Sequence, residues 1–361
     1  MPTIPMLPRF AVILLILLAL VLPHPSRCDA KGNAKPETVV FTYQPLASPG
    51  GALAAALKHD RVLREELTRL GVSLQMVPVR DGCEAASYLS SGKAQVATLG
   101  DMPFLKAVSS GVPLYAIALI KQNYGAVVGP MGLLPSDLKG KRIANTFGST
   151  GHYVLLKTLS NSGLTESDVT MVPLEVTEME EALLKGKVDA YAAWAPTPEL
   201  TLARYPDRFA AIGKHRSLSF AAFSKNLADR RPELPRQMAA ALVRCMKWLA
   251  KENRALERVA GWNLQDVKSL QPRQASRERR SQAEDLRREL SAIAFTPRMP
   301  KGIDAEGGSM AEEFRFLKKV GKIPPTVPWQ MCQGAFRLDY VDQVLRNAAK
   351  YRIARFDYDQ N

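Results

Sequence analysis

Residues 142–152 read RIANTFGSTGH, and this stretch sets the pattern that the rest of the sequence follows. The β-rich run at 142–146 predicts a strand, and the residues from Ser149 to Asn161 predict a helix that ends near Gly163. A strand that passes through a glycine-rich turn directly into a helix is the repeating unit of α/β proteins. The stretch therefore predicts an α/β fold.

The same alternation of strands and helices continues on both sides of this stretch. Upstream, the sequence predicts strands at 37–43, 72–79, 94–100 and 113–120, with helices at 50–70, 83–91 and 102–110. Downstream, strands at 168–174 and 189–194 flank a helix at 178–185. Beyond residue 232 apolar residues recur mainly at helical spacing. We expect a mostly parallel, helix-covered sheet with a helical C-terminal part.

The FGSTGH turn at 147–152 has the chemistry of an anion site. Small residues let a ligand approach the backbone, and the first N–H groups of a helix favour negative charge. Ser149 and Thr150 could add hydroxyl donors. The alternative is plain helix capping by Ser149 or Thr150, which is common in helices of every function.

Other loops should face the same crevice, because ligands of doubly wound sheets bind outside the carboxyl ends of the strands. This rule selects residues 43–45, 81–84, 100–103 and 194–196. Tyr43 and Trp194 could form flat apolar walls with a polar edge. Core packing is the alternative for both aromatic residues. Glu84 would suit a ligand that also carries an amine if it faced the crevice; otherwise it would pair with Arg80 at the surface.

The composition narrows the function classes. The chain has 361 residues, is 46% hydrophobic and 23% charged, and has a formal net charge of +14. These values exclude a disordered, collagen-like or coiled-coil protein and suit a partner of negative charge. The four histidines lie far apart in the sequence, so no local metal motif is present. We predict no catalytic residues, no metal and no cofactor.

Residues 1–30 are predicted to be a signal peptide. Arg9 precedes an unbroken apolar run of 13 residues, FAVILLILLALVL, which is too short to span a bilayer. Lipidation at Cys28 is disfavoured because Arg27 stands where a small residue is needed. An exported protein seldom meets nucleic acid, so we expect no nucleic-acid partner. Three cysteines follow residue 30, and we expect buried thiols rather than a disulfide framework.

Several segments together resemble the solute-binding proteins of nitrate/sulfonate/taurine-type ABC importers. They are DLKGKRIANTFGSTGHYVLLKTLSNSGL at 137–164, ALLKGKVDAYAAWAP at 182–196, YLSSGKAQVATLGDMPFLKAVSSGVPL at 88–114 and MAEEFRFLKKVGKIPPTVPW at 310–329. The resemblance implies a two-lobed type II periplasmic-binding fold with two crossover hinges. Lobe one would comprise residues 36–121 and 221–361, and lobe two residues 122–220.

The resemblance also implies a role and a site. The protein would capture a small anionic solute, such as a sulfonate, taurine or nitrate, between the lobes and deliver it to an ABC permease in the inner membrane. It would be a periplasmic monomer and not an enzyme. The implied ligand-binding residues are Tyr43, Gln44, Gly82, Cys83, Gly100, Asp101, Met102, Ser149, Thr150, Gly151, His152, Trp194 and Pro196.

Two other functions are compatible with the same fold. One is an enzyme, either similar to pyrimidine-synthesis proteins or a transferase, in which Ser149 and His152 would act as nucleophile and base. The local sequence lacks a nucleophile elbow, which argues against it. The other is a sensory module that binds a solute and reports to a receptor instead of a permease.

Overall fold

The computed structural model describes residues 35–270 and 279–359. Their strands form one eight-stranded mixed sheet in the order β2-β1-β3-β8-β4-β7-β5-β6. The strands are β1 Glu37–Tyr43, β2 Val72–Pro78, β3 Val96–Gly100, β4 Leu114–Pro130, β5 Arg142–Asn145, β6 Thr170–Pro173, β7 Ala190–Trp194 and β8 Phe209–Ser224. The predicted signal peptide lies outside the described residues.

Two long strands hold the fold together. β4 and β8 are antiparallel along almost their whole length, from the pair Leu114 and Ser224 to the pair Pro130 and Phe209. Parallel pairs form on either side of them, β1 with β2 and β3, and β5 with β6 and β7. The expected parallel sheet is therefore present as two parallel halves joined through an antiparallel centre. The strand predicted at 113–120 continues to Pro130.

Helices cover the sheet, and most lie where the sequence predicts them. Their bounds are α1 Gly50–Lys58, α2 Arg61–Arg69, α3 Gly82–Ser90, α4 Asp101–Ser109, α5 Thr150–Asn161, α6 Met179–Leu184, α7 Thr197–Arg204, α8 Lys225–Arg230, α9 Glu233–Lys251, α10 Asn253–Leu270, α11 Arg279–Ser291, α12 Ser309–Lys319, α13 Trp329–Gln333 and α14 Asp339–Arg346, with short 3-10 helices at Pro135–Leu138 and Glu166–Asp168. None of the described helices is both long and apolar enough to cross a bilayer.

The single helix predicted at 50–70 is wrong, because the chain breaks at Asp60. The Asp60 carboxylate accepts a hydrogen bond from the Leu63 N–H at 3.0 Å and thereby caps α2. Its other oxygen lies 2.6 Å from the Arg244 guanidinium, and both side chains are buried. A buried charge pair of this kind fixes one arrangement of α2 against α9 at the expense of a continuous helix.

The buried apolar side chains form three clusters that match a two-lobed fold. The largest packs β1–β3, the first half of β4, the second half of β8 and most of the C-terminal helices together, and Phe104 and Phe220 are in ring contact within it. Two smaller clusters cover the two faces of β5 and β7, one around Tyr191 and the other around Leu155. We call the first region lobe one and the second lobe two. The exact lobe boundaries stay a prediction.

Candidate functional site

A small cavity lies where the loops of the two lobes meet, and we call it the cleft cavity. Its volume is about 30 Å³. It is lined by Gln44, Ala47, Gly82, Gly100, Pro103, Lys121, Ser149, Thr150, Trp194 and Ser219. Each of the five loops selected from the sequence contributes at least one residue. Six of the thirteen predicted site residues therefore line one cavity: Gln44, Gly82, Gly100, Ser149, Thr150 and Trp194.

Ser149 is the N-cap of α5, and its hydroxyl is fully used within its own loop. The hydroxyl accepts a hydrogen bond from the His152 N–H at 3.2 Å and donates one to the Thr146 carbonyl at 2.6 Å. The capping alternative raised by the sequence is therefore correct for this side chain. Its proton is not available to a ligand in this arrangement.

Thr150 connects the two lobes. Its hydroxyl donates to the Asp101 carboxylate of α4 at 2.6 Å. The two chains approach so closely that a Cβ on Gly100 would lie 2.3 Å from Thr150 Oγ1. The backbone N–H groups of Thr150 and Gly151 make no hydrogen bond within the described residues. They are the free donors expected at a helix start.

Asp101 is buried and receives three hydrogen bonds. Besides Thr150, the Met102 N–H donates at 2.9 Å and the Leu218 N–H of β8 donates at 2.8 Å. Burial raises the pKa of this carboxyl, and the three donors oppose that effect. Asp101 lies beneath the cleft cavity as a junction between α4, α5 and β8. Met102 is fully buried beside it.

His152 and Gly151 hold α5 in place. Nδ1 of the buried His152 accepts from the Gly148 N–H at 3.0 Å, so Nε2 carries the proton and donates to Glu166 at 2.9 Å. Burial lowers the pKa of His152. A Cβ on Gly151 would lie 2.8 Å from the Ala192 carbonyl, so glycine lets α5 pack directly on β7. Neither His152 nor Gly151 lines the cleft cavity.

Of the two residues predicted at the end of β1, Tyr43 lies behind the cleft and Gln44 lines it. Tyr43 is buried, and its hydroxyl is hydrogen-bonded to Lys58. Gln44 lines the cleft cavity, but its amide is bonded to Thr98, with Nε2 donating to the carbonyl at 2.8 Å and Oε1 accepting from the hydroxyl at 3.1 Å. Tyr43 is thus part of the core, as the alternative in the sequence analysis had it.

Cys83 and Glu84 lie at the margin of the cleft. The Cys83 thiol donates to the Phe147 carbonyl of lobe two at 3.2 Å, and burial raises its pKa to about 12. Glu84 accepts from Arg80 at the surface, through the backbone N–H at 2.9 Å and Nε at 3.2 Å. The Glu84 carboxylate therefore pairs with Arg80 at the surface, which was the alternative to a position facing the crevice.

Sequence reasoning missed three residues of this cavity, Ala47, Lys121 and Ser219, of which Lys121 is the charged one. Lys121 lies within β4, is 3% exposed and lines the cleft cavity. Its ammonium makes no hydrogen bond or ion pair with another described residue. Burial lowers the pKa of Lys121, and the carboxylates of Glu289, Asp101 and Glu199 oppose that effect. A signal was available, because Lys121 is the single charged residue of the stretch 114–130.

Pro196 lines a second, larger cavity beside the first. It has a volume of about 90 Å³ and lies between the loop after β1, the start of α7 and helices α10 and α11. Trp194, two residues earlier, lines the cleft cavity instead. Within the described residues, no group of three or more histidine, cysteine or acidic side chains could hold a metal ion.

Two curated proteins of Escherichia coli are similar to this chain in sequence. The chain is 30% identical over 167 residues to the taurine-binding periplasmic protein of Escherichia coli K12, covering 45% of this chain and 50% of that protein. It is 28% identical over 170 residues to the putative aliphatic sulfonates-binding protein of the same organism, covering 45% and 51%. The chain thus matches about half the length of these curated relatives.

The fold has close counterparts among solved structures. The alkanesulfonate-binding protein SsuA from Xanthomonas axonopodis pv. citri, bound to MOPS, aligns with a TM-score of 0.61 at 21% identity. The alignment covers 84% of this chain and 99% of that one, which establishes the periplasmic-binding-protein fold. Residues 68–252, just over half of the chain, match the family model described as NMT1/THI5 like. The chain belongs to the NMT1/THI5-like family.

Proposed function

We propose that this protein is the solute-binding component of an ABC importer and that it captures a small organic or inorganic anion in the cleft cavity. The observation that carries the proposal is the buried Lys121 ammonium, which makes no hydrogen bond or salt bridge with a described residue although three carboxylates lie in its neighbourhood. The free N–H groups of Thr150 and Gly151 lie on α5, whose first residues line the same cavity. Sulfonates, taurine and nitrate are the candidate solutes.

The energetics favour an anion over a neutral ligand. Removing an ammonium from water is costly unless a counter-charge or hydrogen-bond acceptors replace the lost hydration. An anion in the cleft cavity would supply both to Lys121. It would also accept from the N–H groups at the start of α5, where the helix dipole favours negative charge. The +14 net charge of the chain would attract such a solute at long range.

Binding would be coupled to closure of the two lobes. Side-chain contacts that join the lobes include Thr150 to Asp101, Cys83 to the Phe147 carbonyl, and the exposed pair of Arg80 and Glu175 at 3.3 Å. Glu166 of lobe two also pairs with Lys322 of lobe one, and Asn123 donates to Glu289 at 2.6 Å. A solute bound to both Lys121 on β4 and α5 of lobe two would stabilise this closed arrangement by its binding free energy. β4 and β8 would act as the hinges, with lobe boundaries near residues 121 and 221.

The cellular setting is part of the proposal. Residues 1–30 would direct export, the mature protein would act in the periplasm as a monomer, and the closed form would dock on a permease of the inner membrane. The names of the curated relatives, which are binding proteins and one of them periplasmic by name, support this setting.

The geometry disfavours the enzyme alternative. A serine nucleophile needs a base that takes its proton. The Ser149 proton is directed at the Thr146 carbonyl, and both ring nitrogens of His152 are bonded elsewhere, to the Gly148 N–H and to Glu166. Ser149 and His152, the candidate nucleophile and base, therefore stabilise the loop at the start of α5.

A thermal-shift screen tests the proposed function. The purified protein is heated with methanesulfonate, taurine, nitrate and chloride at equal ionic strength. A solute that binds the native state raises the melting temperature in proportion to the logarithm of its concentration. We expect a sulfonate or nitrate to do so while chloride does not. No shift with any of the anions would contradict the proposal.

A further inference from the structure

A series of contacts outside the cleft cavity joins lobe one to the FGSTGH turn at 147–152, which we call the anion turn. Lys322 Nζ contacts one oxygen of the Glu166 carboxylate. The other oxygen accepts from Nε2 of His152 at 2.9 Å, and Nδ1 of His152 accepts from the Gly148 N–H at 3.0 Å. Four residues, none of which lines the cleft cavity, are thus linked in series and end at the turn.

The first contact of this series crosses between the lobes. Lys322 is fixed on lobe one, because its N–H donates to the Leu317 carbonyl of α12 at 2.8 Å and the next residue, Ile323, is buried in the cluster of that lobe. Glu166 belongs to the 3-10 helix that precedes β6 in lobe two. The two side chains are 24% and 29% exposed. We expect opening of the lobes to separate them, so the pair belongs to the closed arrangement.

Ring contacts between the lobes lie close to this pair in sequence. Tyr153 of α5 meets Phe316 of α12 edge to face, with the ring centroids 5.9 Å apart and the planes at 78°. The Lys157 ammonium lies 4.7 Å from the centre of the Phe316 ring. Phe316 is buried, and Tyr153 packs against the clusters of both lobes. The contact of Lys322 with Glu166 therefore belongs to a packed interface and is not an isolated surface pair.

Glu166 determines which nitrogen of His152 is the acceptor. A neutral imidazole carries its proton on one nitrogen and accepts at the other. With the carboxylate at Nε2, the proton stays there and Nδ1 accepts from the Gly148 N–H, whereas the opposite tautomer would set two donors against each other. Gly148 has a φ of +79° and forms the bend that leads into α5. Its orientation therefore sets the direction of the first N–H groups of that helix.

Resting on the proposed function, we propose that Glu166 and Lys322 are positioning residues of the anion site. Glu166 holds His152, and through it the anion turn, in the form that accepts an anion. Lys322 anchors Glu166 to lobe one when the lobes close. A solute bound at the turn and the pair of Lys322 and Glu166 favour the same closed arrangement, so each strengthens the other. Neither side chain lines the cleft cavity, so both act through His152.

Titration calorimetry with methanesulfonate, taurine and nitrate tests the role of Lys322. Lys322→Met should weaken binding about threefold, which is the effect of losing a partly exposed ion pair. Lys322→Arg keeps the cation and should bind as the unmodified protein does. Lys319→Met is the matched control, because it removes one positive charge from an exposed position at the end of α12 and leaves the pair intact.

Variants of Glu166 test whether the contacts act in series. Glu166→Gln keeps an oxygen for His152 and loses the charge, so binding should weaken about threefold. Glu166→Leu also removes the acceptor and should weaken binding about tenfold. Because Lys322 acts through Glu166, Lys322→Met should cause no further loss in the Glu166→Leu background. The Glu166→Gln background gives the same test if Glu166→Leu does not fold.

The pKa of His152 gives a readout that needs no solute. Burial lowers this pKa, the Glu166 carboxylate opposes that effect, and the ammonium groups of Lys322 and Lys106 add to it. Glu166→Gln removes the carboxylate charge and leaves both ammonium groups. NMR titration should therefore find the pKa of His152 lowered further in this variant. The His152 signal is identified by its absence in His152→Asn.

The outcomes separate this inference from the function on which it rests. If a solute binds equally well to Lys322→Met and Lys319→Met, the role of Lys322 is overturned and the anion-binding function stands. Additive losses in the double variant would overturn the arrangement in series. An unchanged pKa of His152 in Glu166→Gln would overturn the role of Glu166. If none of the three solutes binds to the unmodified protein, the proposed function itself fails.

Discussion

Two of the elements that face the cleft cavity, the start of α5 and the middle of β4, differ in how they would serve an anion. The α5 loop has the conspicuous sequence, yet its side chains are occupied: Ser149 bonds to Thr146, and Thr150 bonds to Asp101. β4 has no glycine-rich signature at Lys121, yet it provides a buried charge that makes no hydrogen bond or salt bridge with a described residue. The loop contributes backbone donors and shape, and the strand contributes charge.

The difference has a physical basis. A helix start that packs tightly against its neighbours needs its hydroxyls to complete the local hydrogen bonds. A charge can remain unpaired in a folded protein only where a ligand or water takes the place of a partner. The Lys121 ammonium is therefore a stronger indicator of a ligand than the hydroxyls at the start of α5.

The largest effect is expected for Lys121→Met. Loss of a hydrogen-bonded charge should weaken binding of the sulfonate found in the screen by about a hundredfold. The free energy of unfolding should stay level or rise, because burial of the ammonium outweighs its attraction to Glu289, Asp101 and Glu199. Lys214→Met, an exposed lysine on β8, is the matched control and should bind normally. Equal affinity in both variants would contradict the role of Lys121.

Gly100→Ala should have the next largest effect. The added Cβ would lie 2.3 Å from Thr150 Oγ1, so the Thr150 hydroxyl must leave Asp101 and the lobes cannot meet as they do here. We expect solute affinity to fall about tenfold, because a buried carboxylate loses a donor whenever the lobes close. Titration calorimetry measures it. Gly307→Ala is the control, since a Cβ there meets open space; equal affinities would argue against the close approach.

Ser149→Ala should separate stability from binding. Removal of an N-cap hydroxyl costs about 1 kcal/mol of the free energy of unfolding. Affinity should change by less than about threefold, because the hydroxyl contacts its own loop rather than the ligand. Denaturant unfolding and calorimetry on the same sample measure both. A large loss of affinity with unchanged stability would give the hydroxyl a direct role in binding.

The smallest effect concerns pH. Burial holds the pKa of His152 below its ordinary value of 6.5, so the unfolded chain binds a proton more readily than the folded one. The stability from neutral His152 is fully present above pH 6.5 and declines as the pH falls through its lowered pKa. The free energy of unfolding of His152→Asn should therefore fall less between pH 7.5 and 5.5 than that of the unmodified protein. Parallel declines would contradict this assignment.

Much of the fold could be predicted because its signals are local. The alternation of strands and helices and the glycine-rich turn at 147–152 depend on residues close in sequence. The break at Asp60 could not be predicted, because it depends on Arg244, 184 positions away. The extension of β4 to Pro130 depends on its pairing with β8, which is equally remote in sequence.

The candidate site divides in the same way. The loops at strand ends could be selected by a topological rule, and the structure brings them together. The rule could not distinguish the residues that line the cavity from those that support it, such as Tyr43, Met102 and His152, because that depends on tertiary packing. The rule did not select Lys121, because this residue lies inside β4 and the rule selects residues at the carboxyl ends of strands.

The most direct test of the account is a crystal structure of the protein with methanesulfonate. The account predicts the sulfonate group between the lobes, with its oxygens within about 3 Å of Lys121 Nζ and of the Thr150 and Gly151 amide nitrogens. A sulfonate bound elsewhere, with Lys121 left unpaired in a closed cleft, would contradict it.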